Sequence, residues 1–584
     1  MSFSKEPNHI DVLICGAGPV GLFLANELAS FEINFRIIEK LDKHANFSKA
    51  IFVSARTLEI LDNRKLIDPF LQNGVKVKQF VTYQNINKLF DIDLSSMDSL
   101  FPFALMNRQN KTQDYLIDAL HKKKSMGIKN VPNVEFGMEL IEYEEKDDHI
   151  IVVVKNVNSG KEEKIICSYL VGCDGVHSSV RKGRNDWIFE GRTLDNSWVV
   201  ADLNIDYELI KDDQVTLFAA EGGHIAILPL DSRKKSFRII GRVSEEHLTL
   251  DKLQKLIDEK TAPIKLKLTD PAWIANFKVS ERVANKYRMG RAFLAGDAAH
   301  CHSPVGGQGM NMGIQDAHNL AFKLALVIKN QAINPDKILT SYEQERHPVG
   351  KSVVSGTSFA TKMLSGKDFI SICLRTFVAP FMFHVFPQFA FNFQSSLFQT
   401  DLKYFPETSD ILHKYIPRSS PKNKLIKVGH YAPDGLLKKI FPQKNHDRLT
   451  LFDVFRSTAL KHTLILFTLN KGVTADRNPL INTLLEIYSE YKRTITPIII
   501  SYQGTVQTAD IPFTPFLEEG REQHIFIETK FELHEKYGIT KEIGQQAFVL
   551  VRPDLYVASA VFENDVDKLK AFLKGYLVKL DRHS

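Results

Sequence analysis

Three short stretches carry residues whose types and spacing could do chemistry. The first is Gly16-Ala17-Gly18-Pro19-Val20-Gly21, entered from the apolar run His9 to Cys15 and left by apolar residues at helical spacing from Leu22 to Phe31. Glycines so spaced allow a tight strand-to-helix turn and a close approach of backbone to a pyrophosphate, whose charge then faces the N–H groups of the helix start. A next strand, Phe35 to Ile38, ends at Glu39, placed to accept hydrogen bonds from a ribose diol, with Lys40 beside it. Strand, turn, helix and acid-tipped strand together predict dinucleotide binding, which the glycine pattern alone would not; Glu39 by itself is also compatible with a solvated strand end. A carboxylate at that place would repel a 2′-phosphate, so the site suits FAD or NAD rather than NADP.

The second stretch is Phe293-Leu294-Ala295-Gly296-Asp297-Ala298-Ala299-His300, followed by Ser303-Pro304-Val305-Gly306-Gly307-Gln308-Gly309-Met310-Asn311. A strand ending in Gly-Asp presents a carboxylate at the carboxyl edge of a sheet, where open α/β folds bind ligands. The glycines beyond it leave N–H groups free at a helix start, suited to an electron-rich ring edge. Asp297 could also simply cap the next turn. The third stretch, Tyr169-Leu170-Val171-Gly172-Cys173-Asp174-Gly175-Val176-His177-Ser178-Ser179-Val180-Arg181, contains an Asp-Gly turn that alone reads as structural.

Elements of an α/β chain must position these residues. Strand-like runs occur at 134–143, 150–154 and 168–173; alternation at 198–203, 215–219, 225–230 and 237–243 predicts a half-exposed antiparallel sheet over residues 186–285. A strand at 292–295 and helices from about 309 to 328 and from about 342 follow. A Pro/Ser/Asn/Lys cluster at 417–424 predicts a boundary. Beyond it, strands at 463–468, 495–502, 525–527, 546–551 and 555–559 and helices at 478–491, capped by Asn478, and 566–580 predict a separate α/β domain.

Composition excludes several classes. With 584 residues, 44% of them apolar and 25% charged, the chain is long enough for several globular domains. The net charge of +6 is slight for this length and argues against a nucleic-acid partner. Cys15, Cys167, Cys173, Cys301 and Cys373 form neither a Cys-x-x-Cys pair nor a metal-ligand spacing, so no disulfide framework or metal site is expected, and a reducing, cytoplasmic location is. Glycines break the apolar run 10–25, unlike a signal peptide. Nine of the forty phenylalanines fall in residues 369–398, where Arg375, His384, Gln388, Asn392, Gln394 and two prolines leave no stretch clean enough to span a membrane. That segment reads as a buried helical pair or an interface, with membrane-surface contact as the alternative.

The three stretches, in this order, resemble the group A flavoprotein monooxygenases, the family of p-hydroxybenzoate hydroxylase, phenol hydroxylase and the polyketide aromatic hydroxylases, from residue 9 to about 365. The resemblance implies a Rossmann-like FAD-binding domain (1–185 and 286–365) with an inserted antiparallel substrate sheet (186–285), a helical Phe-rich connector (366–424) and a thioredoxin-like C-terminal domain (425–584). By that likeness Gly16, Gly18, Pro19, Val20 and Gly21 hold the FAD pyrophosphate, Glu39 and Lys40 the adenosine ribose, and Asp297 the ribityl or ribose hydroxyls. Pro304, Gly306, Gly309, Met310 and Asn311 line the isoalloxazine ring. Ser54-Ala55-Arg56-Thr57-Leu58-Glu59 resembles the family's helix whose Arg56 approaches the FAD phosphates; Gln109 lies beside the ribityl chain, Leu140 near adenine, and Asp174 with Arg181 serves FAD and NAD(P)H. Tyr83, Phe218, His224, Pro229 and Arg282 are substrate-pocket candidates by position.

The family's cycle is then expected: NADPH or NADH reduces FAD, dioxygen adds at C4a, and the hydroperoxide delivers one oxygen to an electron-rich aromatic ring, with a homodimer compatible. One departure is visible. The phenol hydroxylase branch has an acid just before the Arg56 helix that assists phenol deprotonation, whereas Lys49-Ala50-Ile51-Phe52-Val53 contains none, and no residue is assigned as catalytic. Epoxidation, Baeyer-Villiger or decarboxylating chemistry on the same flavin, or a non-catalytic flavin-binding protein, are the alternatives. Gly429 to Asp434 and Val551 to Ala558 resemble the C-terminal domain of the phenol and polyketide hydroxylases, and the absence of any cysteine after Cys373 excludes a thiol redox role there.

Overall fold

The computed structural model describes residues 9–43, 50–206, 210–220, 223–231, 235–243, 248–304, 306–365, 369–415, 425–439, 449–458, 460–469, 479–502, 525–528, 530–540 and 545–580. The chain divides into two compact units, Met1–His318 with Arg346–Asp401, and Asn319–Glu345 with Leu402–Ser584. The boundary expected at 417–424 and the cap at Asn478 lie outside the described residues.

The first unit is built on a sheet ordered Arg288–Met289, Ala292–Leu294, Glu162–Gly172, His9–Cys15, Phe35–Glu39, Glu135–Phe136. His9–Cys15 runs parallel to both neighbours. Val12, Leu13 and Ile14 are fully buried, as an unbroken apolar run requires when both faces of a parallel sheet are covered. Helix Pro19–Ser30 begins with Pro19, where a missing N–H costs nothing. Ile150–Asn156 and Met138–Glu145 extend the sheet antiparallel from Glu162–Gly172.

A second, eight-stranded sheet runs His300–Cys301, Lys267–Ala284, Phe189–Asp206, Ser236–Val243, Gly223–Asp231, Gln214–Ala220, Gln79–Gln84, Asn87–Asp93. It corrects the expected sheet in two ways. Its last two strands come from the region before residue 186, where polar residues on one face hid the alternation. The pair Gln214–Ala220 with Gln79–Gln84 is parallel, not antiparallel. Helix Leu250–Thr261, whose first turn is capped by Thr249, covers one face through Leu253 and Ile257. The opposite face meets Phe52, Met106 and Phe398 through Val215, Leu217, Leu228 and Leu230.

Helix Gly309–Ile328 matches its expected span. The next helix is Pro335–Ser365, starting before Tyr342 because Asn334 accepts from the Lys337 N–H at 3.1 Å and Pro335 opens the first turn.

The Phe-rich segment forms helices Phe369–Cys373, Ala379–Val385 and Pro387–Leu397, with a π-helical turn at Leu374–Val378. It is buried on one side only. Phe383 stacks on Phe90 with centroids 4.6 Å apart, and Phe398 is fully buried between Phe52 and Phe80. Ile370, Phe377, Phe381, Phe386 and Phe391 are exposed, which corrects the buried helical pair.

The second unit carries a seven-stranded sheet ordered Leu449–Thr450, Leu436–Lys439, Ile525–Glu528, Ile495–Tyr502, His462–Leu469, Ala547–Val551, Val557–Phe562. Its middle strands are parallel and its last two antiparallel. Arg552, just past Ala547–Val551, donates to Glu345 at 2.6 and 3.0 Å and to Asp554 at 2.8 Å; Lys323 donates to Glu345 at 2.8 Å. All four groups are buried and their formal charges cancel.

Candidate functional site

The three sequence stretches meet at the carboxyl ends of the central parallel strands. Gly16 has φ +100°, and a Cβ on it would lie 2.5 Å from the Cys173 carbonyl oxygen, so the first and third stretches touch backbone to backbone. A Cβ on Gly21 would lie 2.0 Å from the Gly16 carbonyl oxygen, so this glycine lets the helix leave the turn directly. Val20 fills the space beneath Gly296 and Gly313; a Cβ on those glycines would stand 2.9 and 2.4 Å from its methyls. Gly18 differs: a Cβ there would meet nothing within 4 Å. Among the described residues no contact requires a glycine at that position, and it caps a helix start with no side-chain partner.

Glu39 spans the turn, accepting from the Ala17 N–H at 2.9 Å and the Leu41 N–H at 3.1 Å. Lys40 beside it is exposed. Gln113, which sequence reasoning missed, donates to the Ala17 carbonyl at 3.2 Å from helix Gln109–Ser125, whose first residue is Gln109. Leu140 is buried on Met138–Glu145, opposite Val154 where that strand pair shifts register.

Asp297 is exposed between buried neighbours, on the turn Gly296–Ala298. A Cβ on Gly309 would lie 3.8 Å from its Oδ1 and 3.7 Å from Nε2 of His302. His302 Nδ1 donates to the Ser303 carbonyl at 2.8 Å, while its buried Nε2 has no partner among the described residues. Burial lowers its pKa to about 4, so the ring is neutral at pH 7. Asp174 accepts the Ser179 N–H at 2.7 Å with Oδ2, and its buried Oδ1 also lacks a protein partner; burial raises its pKa. Arg181 donates to the carbonyls of Ala298 and Val176, both at 2.6 Å, fastening the third stretch to the second.

Asn311 is buried and stitches the loop together: it accepts the Ser54 N–H at 2.9 Å and donates to the carbonyls of Phe52 and Gly307 at 3.0 Å each. Pro304 is half-buried and Met310 buried; Gly306 and Gly307 have φ +87° and +61°, a turn that glycines enter without strain. Arg56 is buried against Glu59 and donates to the Thr400 carbonyl at 3.0 Å. Beneath the loop lies a second group that sequence reasoning did not assign. The buried Asp316 accepts the Gly296 N–H at 3.0 Å, His300 Nε2 lies at 2.7 Å, and Arg346 Nε donates at 2.7 Å. Burial would raise the Asp316 pKa; Arg346 and His300 prevail and hold it below the usual carboxylate range. Glu27, between Arg64 at 2.6 Å and His318 at 3.0 Å, joins three helices in the same way.

The substrate candidates separate. Tyr83 and Phe218 stack with centroids 5.8 Å apart and pack in the core shared with helix Leu250–Thr261. The alternation of a strand puts Val215 and Leu217, one residue out of step, on the other face. His224 is buried edge-on to Trp198, with centroids 5.4 Å apart; Pro229 is buried opposite Phe237; Arg282 is half-buried and donates to the Phe189 carbonyl at 3.2 Å. The face toward the glycine loop is instead aromatic. Phe52 packs against Phe80 and Phe398, and a Cβ on Gly307 would lie 2.9 Å from Phe52. Among the described residues no cluster of metal ligands occurs, and the five cysteines are free.

Comparison with known proteins decides the family. Residues 9–357 match the model of the FAD binding domain, and residues 468–581 that of the phenol hydroxylase C-terminal dimerisation domain. The chain belongs to the FAD-binding monooxygenase family. It is 32% identical over 457 residues to an uncharacterized aromatic compound monooxygenase of Bacillus subtilis, covering 76% of this chain and 83% of that one. It is also 32% identical over 382 residues to 6-methylpretetramide 4-monooxygenase of Streptomyces rimosus, where the match spans 64% of each chain. Anhydrotetracycline hydroxylase from Streptomyces rimosus has the same fold, with a TM-score of 0.70 at 25% identity over 97% of this chain and 99% of that one. The uncapped helix start at an open Gly18 and the acceptors of Asp174 and His302 that have no partner among the described residues are compatible with a bound FAD.

Proposed function

We propose that this chain is an NAD(P)H-consuming, FAD-dependent hydroxylase of an aromatic, phenolic or polyketide-like small molecule. The observation that carries the reading is that Val20 of the Gly16–Gly21 turn packs beneath Gly296 and Gly313, which brings the turn beside Asp297 and the helix that follows the Gly306–Asn311 loop. That they stand next to an aromatic wall of Phe52, Phe80 and Phe398 supports it.

In this reading Gly16, Gly18, Pro19, Val20 and Gly21 hold the FAD pyrophosphate. Glu39 and Lys40 take the adenosine ribose and Leu140 the adenine side; Gln109, Arg56, Asp174 and Asp297 take the phosphate and ribityl region. Pro304, Gly306, Gly309, Met310 and Asn311 form the bed of the ring. The chemistry supplied by bound FAD, once reduced by NADPH or NADH, is activation of dioxygen and delivery of one oxygen atom to an electron-rich ring.

The chain's own part is to bind, orient and exclude water. Asn311 fixes the loop against Ser54, and Arg181 and Asp316 fix the turn that presents Asp297. The aromatic wall offers an apolar surface that shields the reacting face from solvent. Ala50 to Val53 contain no carboxylate, so no side-chain base is assigned there.

We divide the chain into an FAD domain (1–185, 286–365), a substrate sheet (186–285), a connector (366–424) and a thioredoxin-like domain (425–584). Parallel strands flanked by an antiparallel pair in the last of these support that name. The match over 468–581 supports a homodimer, and the free, mostly buried thiols support a cytoplasmic setting. The test is flavin content followed by NAD(P)H oxidation across an aromatic panel. The proposal expects yellow protein and oxidation stimulated by particular aromatics; protein that cannot be reconstituted with FAD ends it.

A further inference from the structure

The Phe-rich segment has a side that nothing in the first unit covers. Ile370, Phe377, Val378, Phe381, Val385, Phe386, Phe389, Phe391 and Phe393 are all exposed, Phe377 to 68%. Nine large apolar side chains along some two dozen residues are far more than the scattered exposure of an ordinary surface. Their outward direction is fixed by the other side of the same helices. Phe383 is stacked on Phe90, Leu397 packs against Gly306, and Gln308 donates to the Ser396 carbonyl at 3.4 Å.

Three further observations identify the partner. Residues 370–385 and 388–397 together are long and apolar enough for a membrane span, yet they bend by 106°, so they suit a hairpin that dips into one leaflet rather than a crossing. From Phe369 to Thr400 there is no acidic residue. Asp368 and Asp401 bound the stretch in sequence, but the exposed charge of the preceding helix beside it is basic: Lys351 and Lys362 stand with Phe359 on one exposed face of helix Pro335–Ser365, and the largely exposed Arg192, 3.5 Å from the buried Glu281, reaches Ser358 at 3.4 Å. An exposed apolar face that itself carries no carboxylate, with lysines on the neighbouring helix, is complementary to an anionic lipid surface. A second copy of the chain is the weaker occupant, because the matched dimerisation domain lies elsewhere, at 468–581.

We propose that the outer face of the 370–397 hairpin docks on an anionic lipid bilayer, with its aromatic side chains in the acyl boundary and Lys351, Lys362 and Arg192 at the headgroups. Since the same hairpin abuts the Gly306–Gln308 loop, docking would bring the candidate active site to the lipid surface, from which an apolar aromatic compound could be drawn.

The test is flotation of the FAD-loaded protein with vesicles of phosphatidylcholine alone and with added phosphatidylglycerol, comparing wild type with the double variant Phe377→Glu and Phe381→Glu. Wild type should float, more so with the anionic lipid and less at high salt. The variant should keep its flavin content and melting temperature while partitioning falls at least about tenfold, the loss expected from one buried Phe alone. A variant that does not fold is replaced by Phe386→Trp, whose added indole fluorescence should be quenched by brominated lipid chains. Wild type that floats with neither vesicle, or a Phe386→Trp emission that bromolipid leaves unchanged, overturns the proposal. So does a variant that floats like wild type but has lost its dimer by light scattering, because the face would then belong to a second copy.

Discussion

The two glycines that end the first motif should fail in opposite ways when each is changed to alanine. At Gly21 the added methyl would lie 2.0 Å from the Gly16 carbonyl oxygen and 3.3 Å from the Cys173 side chain, so backbone must move. Overpacking of that kind costs about 1–3 kcal/mol, and against backbone the upper end applies. At roughly 2–4 °C per kcal/mol for a domain of this size, the apo-protein should melt some 6–12 °C lower. At Gly18 the methyl enters open space, and φ −69°, ψ 178° is a conformation alanine adopts freely. The reduced freedom of the unfolded chain, worth about 0.4–1 kcal/mol, offsets the poorer helix cap, so apo stability should stay within roughly 0.5 kcal/mol of wild type. The same methyl would occupy the place assigned to the pyrophosphate, and a similar overpacking cost there weakens FAD binding about tenfold or more. Differential scanning calorimetry of apo-protein and a fluorescence titration with FAD separate the two effects. Wild-type FAD affinity in Gly18→Ala, or unchanged stability in Gly21→Ala, would refute the assignment of the open glycine to ligand and the closed one to packing.

Four other outcomes follow. Asp297→Ala should lower FAD affinity with little change in apo melting, because Asp297 is exposed on a turn; a titration that matches wild type removes it from the site. Glu27 should make unfolding acid-sensitive. Burial raises its pKa, but Arg64 and His318 overcome this and hold it at about 2, below its unfolded value, so its stabilisation is complete above about pH 4.5 and is lost as pH falls toward 2. Equilibrium unfolding from pH 6 to 3 should therefore show a shallower pH slope in Glu27→Gln than in wild type, and equal slopes would exclude the role. Glu345→Gln leaves Arg552 and Lys323 buried without their shared carboxylate and should cost about 3–5 kcal/mol in the second unit, read as a lowered calorimetric transition. Arg181→Lys cannot reach two carbonyls at once and should weaken FAD binding several-fold; unchanged binding would show that the turn at Ala298 holds itself.

What the sequence made legible was local. His9–Cys15, the Gly16–Gly21 turn and helix Gly309–Ile328 follow from unbroken apolar runs and glycine spacing, and each lies where expected. What it hid depended on partners distant along the chain. Phe80 to Tyr83 are strand-favouring residues, but which sheet they join is set only by the pairing of Gln79–Gln84 with Gln214–Ala220. Which face Phe218 takes is a one-residue question of strand register: it packs in the core with helix Leu250–Thr261, while its neighbour Leu217 packs with Phe52. The Asp316–His300–Arg346 group was invisible because its members are 16 and 30 positions apart and each is ordinary alone. Phenylalanine content showed where apolar bulk lies but not which side of a helix it faces, hence the exposed outer face of 370–397.

The central claim, monooxygenation of an aromatic compound on bound FAD, is tested most directly by isotope transfer. Holoenzyme turning over under ¹⁸O₂ with NADPH or NADH and an aromatic that stimulates oxidation should yield a product that carries one ¹⁸O atom, with NAD(P)H consumed in matching amount. Hydrogen peroxide as the sole oxygen product with every aromatic tried would contradict it.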